Sequence, residues 1–276
     1  MIEILKAVLF GIVEGITEWL PVSSTGHIIL LDEFIRLQAT DAFKSMFDVV
    51  IQLGAILAVI VLFFHKLNPF ALSKSKEEKG KTWTLWFKVC LAILPSGILG
   101  VLFDDWMDEH LHNGIVVAIA LIVYGIAFIL VERRNQGKYT KAISDVHDIG
   151  YRTAILIGVF QCLSLVPGTS RSGSTILGAI LIGVGRSAGA EFSFFMAIPT
   201  MLGASAIKGL KFILSGVEAT GTEIGVLIVG CVVSFIVSLL VIKGLMEYVR
   251  KHSFSAFGVY RIILGIVVLA YFALLA

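Results

Sequence analysis

Charged residues are scarce in this sequence. They make up 15% of the 276 positions, whereas about 25% is usual in a soluble domain, and hydrophobic residues reach 57% against a usual value of about 45–50%. This shortage of charge excludes an ordinary water-soluble domain. The net charge of +2 is too small to indicate a nucleic-acid partner. The composition therefore indicates a chain built for a lipid bilayer.

Cysteine is scarce as well. The chain has three, Cys90, Cys162 and Cys231, and they lie in apolar segments at unrelated spacings. This pattern excludes a disulfide framework and a thiolate metal site. The N-terminal stretch lacks a basic region followed by a cleavage site, because Glu3 and Lys6 interrupt it. We therefore expect no signal peptide to be removed.

Long apolar runs, in contrast, are abundant. A helix needs about 20 mainly apolar residues to cross a bilayer. Six segments are candidates: 43–64, 89–103, 114–131, 192–214, 224–242 and 257–276. The predicted fold class is an all-α polytopic membrane protein with six transmembrane helices, forming a single integral membrane domain over residues 1–276.

Basic residues gather in alternate connections between these spans. The first connection holds Lys66, Lys74, Lys76, Lys79, Lys81 and Lys88, the third holds Arg133, Arg134, Lys138, Lys141 and Arg152, and the fifth is surrounded by Lys243, Arg250, Lys251 and Arg261. The connections at 104–113 and 215–223 contain acidic residues and no lysine or arginine. The positive-inside rule then predicts that the basic connections are cytoplasmic and that the C-terminus lies outside.

Similar landmarks recur about 147 residues apart, which predicts an internal repeat. The pairs are Gly11-x-x-Glu14 with Gly158-x-x-Gln161, Pro21 with Pro167, and the run 23–26 with the run 170–173. Repeats over 1–131 and 150–276 would each contain three spans. Because three is odd, the two copies would enter the membrane from opposite sides, as in an inverted-topology repeat.

Two further apolar segments, 5–31 and 153–185, are interrupted by proline, glycine and hydroxyl residues. The alternation of charge is kept only if each segment returns to the side from which it entered, so we interpret them as two re-entrant helix pairs. Broken backbone at membrane depth is tolerated only when it is buried in protein or lines a wet cavity. The two interruptions are therefore expected to meet and to form the functional site.

The first interruption contains a concentration of reactive groups. Glu14 and Glu18 lie four residues apart, hence on one face of a helix. Carboxylates at membrane depth are costly and indicate function, and a divalent cation shared with substrate phosphates would relieve their repulsion. The alternative is that both are solvated ends of a short amphipathic helix. Ser24 and His27 follow closely, and His27 suits proton transfer or nucleophilic attack, although a lone histidine here is more often a packing residue.

The second interruption reads Pro-Gly-Thr-Ser-Arg-Ser-Gly-Ser-Thr over residues 167–175 and is followed by an apolar helix. The first amides of a helix point at one spot and form an anion site, and Arg171 adds a fork of donors that matches phosphate oxygens. The alternative is that the small residues only let helices pack closely. That alternative does not explain Arg171. The second interruption is therefore predicted to form a phosphate cradle.

The runs at 14–27 and 167–175 resemble the two signature motifs of the undecaprenyl pyrophosphate phosphatases, the bacitracin-resistance phosphatases of bacteria. The likeness extends along the chain and includes Phe47-Asp48-Val-Val-Ile-Gln52-Leu-Gly54 and Glu191-Phe-Ser-Phe. The resemblance implies a multi-pass hydrolase of the bacterial cytoplasmic (inner) membrane. Its substrate would be the polyprenyl diphosphate lipid undecaprenyl diphosphate. Cleavage to the monophosphate recycles the carrier lipid for cell-wall synthesis and confers bacitracin resistance.

The resemblance also implies a catalytic set of Glu14, Glu18, Ser24, His27 and Arg171. The substrate phosphates would be bound by Arg171 and by the hydroxyl residues Ser23, Thr25, Ser170, Ser172 and Thr175. It implies a divalent metal, Mg²⁺ or Ca²⁺, on Glu14 and Glu18, and a site open to the periplasmic side. We expect Ser24 to attack the terminal phosphorus while His27 manages the proton, although His27 itself or water could be the nucleophile. The alternative function is a transporter or flippase for a phosphate-bearing lipid. The sequence does not fix the oligomeric state, and a homodimer is one arrangement that it permits.

Overall fold

A computed structural model of the chain describes residues 1–111, 113–135 and 142–275. Lys138, Lys141 and the predicted end of the last span at Ala276 lie outside these residues. The described regular structure is helical, with a single isolated bridge between Ile143 and Val184.

The helices are numbered in chain order. They are α1 (Ile2–Thr17), α2 (Ser24–Phe34), α3 (Asp41–Val50), α4 (Gln52–Leu62), α5 (Phe64–Leu67), α6 (Lys76–Leu111), α7 (Gly114–Asn135), α8 (Tyr151–Cys162), α9 (Arg171–Leu181), α10 (Arg186–Leu214), α11 (Gly221–Lys251) and α12 (Ser255–Leu275). Short 3₁₀ helices cover Val146–Asp148 and Leu163–Leu165.

The prediction of six membrane-spanning helices is confirmed. The helical stretches Asp41–Leu62, Lys76–Phe103, Gly114–Asn135, Arg186–Leu214, Gly221–Lys251 and Ser255–Ala273 are long and apolar enough to cross a bilayer. Four of them are longer than predicted, and the largest differences are in α6 and α11. Helix α6 begins at Lys76 rather than at residue 89, and α11 continues to Lys251 rather than ending at residue 242. Apolar content marks only the lipid-facing part of a helix, and both helices continue into a charged turn.

The two segments predicted to be re-entrant are each a pair of short helices. Helices α1 and α2 are separated by residues 18–23, here called the first break, and α8 and α9 by residues 163–170, called the second break. Helix α1 has 16 residues and α8 has 12, fewer than the roughly 20 needed to cross a bilayer. That each pair turns back within the membrane stays a prediction.

Close glycine contacts hold both helix pairs against long helices. A side chain on Gly11 of α1 would collide with the carbonyl of Gly230 on α11, and one on Gly158 of α8 would collide with the carbonyl of Ala92 on α6. Gly11 and Gly158 are equivalent positions in the predicted repeat. This matched packing supports the inverted repeat, which itself stays a prediction.

Residues of the first and third basic connections lie in contact with each other. Lys88 Nζ donates to the carbonyl of His147 at 2.8 Å and lies 5.8 Å from the ring centroid of Tyr151. Lys66 Nζ pairs with Glu191 at 2.6 Å. These contacts agree with the predicted common side of the two connections, and the assignment of that side to the cytoplasm stays a prediction.

Candidate active site

The two breaks end in the same unusual backbone geometry. Ser23 has φ 75° and Ser170 has φ 74°, and among the described residues they alone combine a positive φ with a residue other than glycine. Each then caps the helix that follows. Ser23 Oγ accepts from Gly26 N at 3.2 Å, and Ser170 Oγ accepts from Gly173 N at 3.1 Å. A strained backbone of this kind costs about 1–3 kcal/mol and persists only where the surrounding structure imposes it.

Side chains from the two breaks meet in a buried ion pair. Arg171 Nη2 lies 2.7 Å from Glu18 Oε1, with side-chain exposures of 10% and 5%. Beside it, Ser172 Oγ donates to the main-chain carbonyl of Glu18 at 3.0 Å. The expected meeting of the two interruptions is therefore observed, although Glu18 and Arg171 lie far apart in the sequence.

The second oxygen of Glu18 contacts Ser24. Ser24 Oγ donates to Glu18 Oε2 at 2.7 Å, and both residues are buried. An ionised carboxylate only accepts hydrogen bonds, so Glu18 is placed to receive the hydroxyl proton of Ser24. From the sequence we expected His27 in that position. The geometry gives the contact to Glu18.

His27 faces a different partner. Its Nδ1 lies 2.6 Å from the carbonyl oxygen of Ser23, and its Nε2 lies 2.7 Å from Tyr260 Oη. A carbonyl oxygen only accepts, so Nδ1 carries the proton and neutral Nε2 accepts from the tyrosine hydroxyl. The sequence reasoning missed Tyr260, because nothing near it in the apolar helix α12 indicates a polar partner.

The predicted phosphate-binding residues have varied surroundings. Thr25 is exposed in the first turn of α2. Ser172 and Thr175 are buried, and Thr175 Oγ1 lies 2.6 Å from Ser193 Oγ. Ser170 Oγ lies 3.2 Å from Ser172 Oγ. In this arrangement Ser172 and Thr175 support the break, and their contact with phosphate stays a prediction.

Two further residues surround Arg171 and were not recognised from the sequence. Arg171 Nη1 donates to the carbonyl of Ser193 at 2.7 Å, and the guanidinium lies 5.7 Å from the ring centroid of Trp19. Arg171 Nε has no hydrogen-bond partner among the described residues. Ser193 is the third residue of the Glu191-Phe-Ser-Phe run, and its place in that family-like run is the sequence signal that could have identified it. These contacts fix the guanidinium and leave one buried donor for a ligand.

Glu14 has the properties expected of a cation ligand. It is 1% exposed, and its Oε1 has no hydrogen-bond partner in the described part of the chain. The negative charges of Glu18 and Asp48 act on it, and only Arg171 opposes them. Within the described ranges no three His, Cys, Asp or Glu side chains form a metal-binding group. A cation at Glu14 would thus depend on oxygen atoms from a ligand.

Comparison with known proteins finds relatives along the whole chain. The family described as bacitracin resistance protein BacA matches residues 7–267. An undecaprenyl-diphosphatase of Limosilactobacillus fermentum is 58% identical over 276 residues, the whole of both chains. One from Enterococcus faecalis is 59% identical over 270 residues, 97% of this chain and 96% of its own. Undecaprenyl-diphosphatase 1 of Clostridioides difficile is 58% identical over 275 residues, 100% of this chain and 98% of its own.

Proposed function

The chain belongs to the bacitracin resistance protein family BacA, and on that premise we propose its reaction: undecaprenyl diphosphate is hydrolysed to undecaprenyl phosphate and inorganic phosphate. The relatives named undecaprenyl-diphosphatase cover its full length. The reaction regenerates the carrier lipid for cell-wall synthesis and confers bacitracin resistance.

The observation that carries the proposal is the contact of Glu18 with both Ser24 and Arg171. A hydroxyl 2.7 Å from a carboxylate, which is itself 2.7 Å from an arginine, combines a nucleophile, a base and a phosphate ligand. A lipid flippase would need the anion site but not the serine that points at a base. The geometry therefore favours hydrolysis over transport.

The chemistry follows from these contacts. The diphosphate competes with Glu18 for Arg171, which frees the carboxylate to act as a base. Ser24 Oγ attacks the terminal phosphorus and gives its proton to Glu18, while the bond from that phosphorus to the bridging oxygen breaks and undecaprenyl phosphate leaves. Water then hydrolyses the serine phosphoester, and Ser24 regains its proton as inorganic phosphate departs. Arg171 and the first amides of α9 bind the phosphate oxygens throughout.

A divalent cation, Mg²⁺ or Ca²⁺, fits the carboxylate pair. Glu14 would hold it through the unpartnered oxygen, together with Glu18 and phosphate oxygens, because such hard cations prefer oxygen ligands. When bound, the ion neutralises charge on the diphosphate and on the leaving phosphate.

Metal removal tests this assignment. EDTA should reduce phosphate release from undecaprenyl or farnesyl diphosphate by purified protein in detergent to background, and added Mg²⁺ or Ca²⁺ should restore it. Glu14→Gln should shift the metal concentration for half-maximal rate upward by about 10–100-fold, since one charged ligand is lost. Glu247→Gln, in an exposed pair with Lys251 on α11, is the control. Full activity in EDTA would contradict the requirement for a metal ion. No phosphate release under any condition would refute the proposed phosphatase activity.

Tyr260→Phe tests the role of His27. The substitution leaves Nε2 unpaired and the ring free to turn, so we expect kcat to fall by about tenfold, less than for loss of a reacting group. Tyr271→Phe on the same helix α12, whose ring packs against Phe34 and Phe272, should retain the wild-type kcat. Equal rates for both variants would show that the hydrogen bond to His27 does not assist the reaction.

The setting of the enzyme follows from the same family and from the six apolar helices. The chain is a multi-pass membrane protein that acts on a lipid. We place it in the bacterial cytoplasmic membrane with the site open to the periplasmic side. Alternating basic connections support this orientation. A homodimer stays a prediction.

A further inference from the structure

Arg261 on α12 connects the two breaks through hydrogen bonds. Its Nη1 donates to the carbonyl of Pro21 at 3.1 Å, and its Nη2 donates to the carbonyl of Gly168 at 2.8 Å. Pro21 belongs to the first break and Gly168 to the second, where Gly168 directly follows Pro167, the predicted counterpart of Pro21. A single planar side chain therefore binds a carbonyl that each interruption has left without a helical partner.

Arg261 differs from its sequence interpretation. We expected it among the charges that surround the fifth connection, but it is completely buried, with 0% exposure. The reason is that the broken helices supply carbonyl oxygens at membrane depth, and a guanidinium satisfies two at once. The correction leaves Lys243, Arg250 and Lys251 as the basic residues of that connection.

The charge of Arg261 has only dipolar partners in the described part of the chain. No carboxylate lies in ion-pair contact, and the guanidinium stands 5.6 Å from the ring centroid of Tyr124. A buried charge without a counter-ion is expensive. The planar fork of the guanidinium reaches both carbonyls at once, which a single neutral donor would not do, so the residue type suits a role that links the two breaks.

The position of Arg261 relates it to the site. A side chain added to Gly173, in the first turn of α9, would approach Arg261 Nη1 to 3.2 Å. Pro21 lies between Glu18 and Ser24 in the sequence, and Gly168 lies three residues before Arg171. A shift of either break would therefore move one side of the site relative to the other.

We propose that Arg261 is a positioning residue that fixes the two breaks relative to each other, and so holds Glu18 and Ser24 opposite Arg171. The inference rests on the proposed phosphatase function. It requires both hydrogen bonds at once, and a lysine, with a compact ammonium in place of the planar fork, would not reproduce them.

Steady-state kinetics of Arg261→Lys are the first test. A displacement of about 1 Å between reacting groups costs about 100-fold in rate. We expect kcat to fall by about 10–100-fold with KM within about threefold of wild type, and with a normal gel-filtration profile in detergent. Arg186→Lys on α10 is the control, because it likewise replaces a guanidinium that makes two contacts with Glu132, but belongs to neither break and should leave kcat unchanged. Wild-type kcat in Arg261→Lys would overturn the proposal.

A double-mutant cycle separates positioning from general stability. Ser172→Ala removes another contact between the two broken segments, from Ser172 Oγ to the main-chain carbonyls of Glu18 and Leu20. If both contacts fix the same arrangement, the kcat losses of Ser172→Ala and Arg261→Lys combine to less than the product of the two, whereas Arg186→Lys combines with either independently. Independent losses from Arg261→Lys and Ser172→Ala would contradict the proposal.

Hydrogen exchange supplies a readout that does not depend on catalysis. In the Arg261→Lys variant we expect faster exchange in peptides covering both breaks, 18–23 and 163–170, with the Arg186→Lys profile unchanged there. Faster exchange in only one break, or exchange rates equal to wild type in both, would refute the positioning role. If the wild-type protein released no phosphate, the proposed function would fail. Hydrogen exchange would still test whether Arg261 fixes the two breaks.

Discussion

Arg171→Ala should lower kcat for phosphate release by about 1,000-fold or more, which is the scale of an arginine that stabilises a phosphoryl-transfer transition state. The side chain contacts Glu18 and Ser193 and keeps a buried, unpartnered Nε. Its loss removes the phosphate ligand and leaves Glu18 without a counter-charge. Phosphate release from undecaprenyl diphosphate, measured on protein with a verified detergent gel-filtration profile, gives the rate.

Arg186→Ala is the matched control for Arg171→Ala. Both arginines pair with a buried glutamate, Arg186 with Glu132 at 2.6 Å and Arg171 with Glu18 at 2.7 Å. Each alanine variant should lose thermal stability, because each removes an arginine that pairs with a buried carboxylate. Only Arg171→Ala should lose the reaction in the folded fraction. Similar kcat values for both folded variants would remove Arg171 from the catalytic set.

Ser24→Ala should likewise abolish turnover, with a loss of about 1,000-fold or more if the serine is the nucleophile. Wild-type protein quenched in acid during turnover of substrate labelled in the terminal phosphate should carry an acid-stable phosphoester. That label should be absent from Ser24→Ala and present in His27→Ala. Hydrolysis of the labelled protein to amino acids and detection of phosphoserine would show that a serine carries the label.

The control for Ser24→Ala is Ser234→Ala on α11. Ser234 is fully buried, and its Oγ has no hydrogen-bond partner in the described part of the chain, so its removal should cost neither activity nor stability. Two results would contradict the assignment of Ser24. An acid-labile label lost in His27→Ala would identify His27 as the nucleophile, and the absence of any labelled protein would indicate direct attack by water.

The spans were predictable because lipid imposes a simple requirement on the sequence. Every membrane-spanning segment must be continuously apolar, so composition alone located all six. Helix ends were less predictable: α6 and α11 extend into water, where a charged helix and a charged loop have similar compositions.

The pairing of Glu18 with Arg171 was predictable for a related reason. Each is a charge in an interrupted apolar segment, and charges at membrane depth require partners. Tyr260 and Arg261 were not predictable from their own neighbours. Their roles depend on which helix packs beside which break, and a periodic apolar helix such as α12 carries no local signal of that arrangement.

The positive φ of Ser23 and Ser170 has a consequence for laboratory evolution. Glycine adopts such backbone angles without steric cost, so a glycine at either position would relieve strain of about 1–3 kcal/mol. It would also delete the hydroxyl that caps the following helix. A library screened only for heat resistance would favour relief of the strain, whereas a screen for growth under bacitracin would keep the serine.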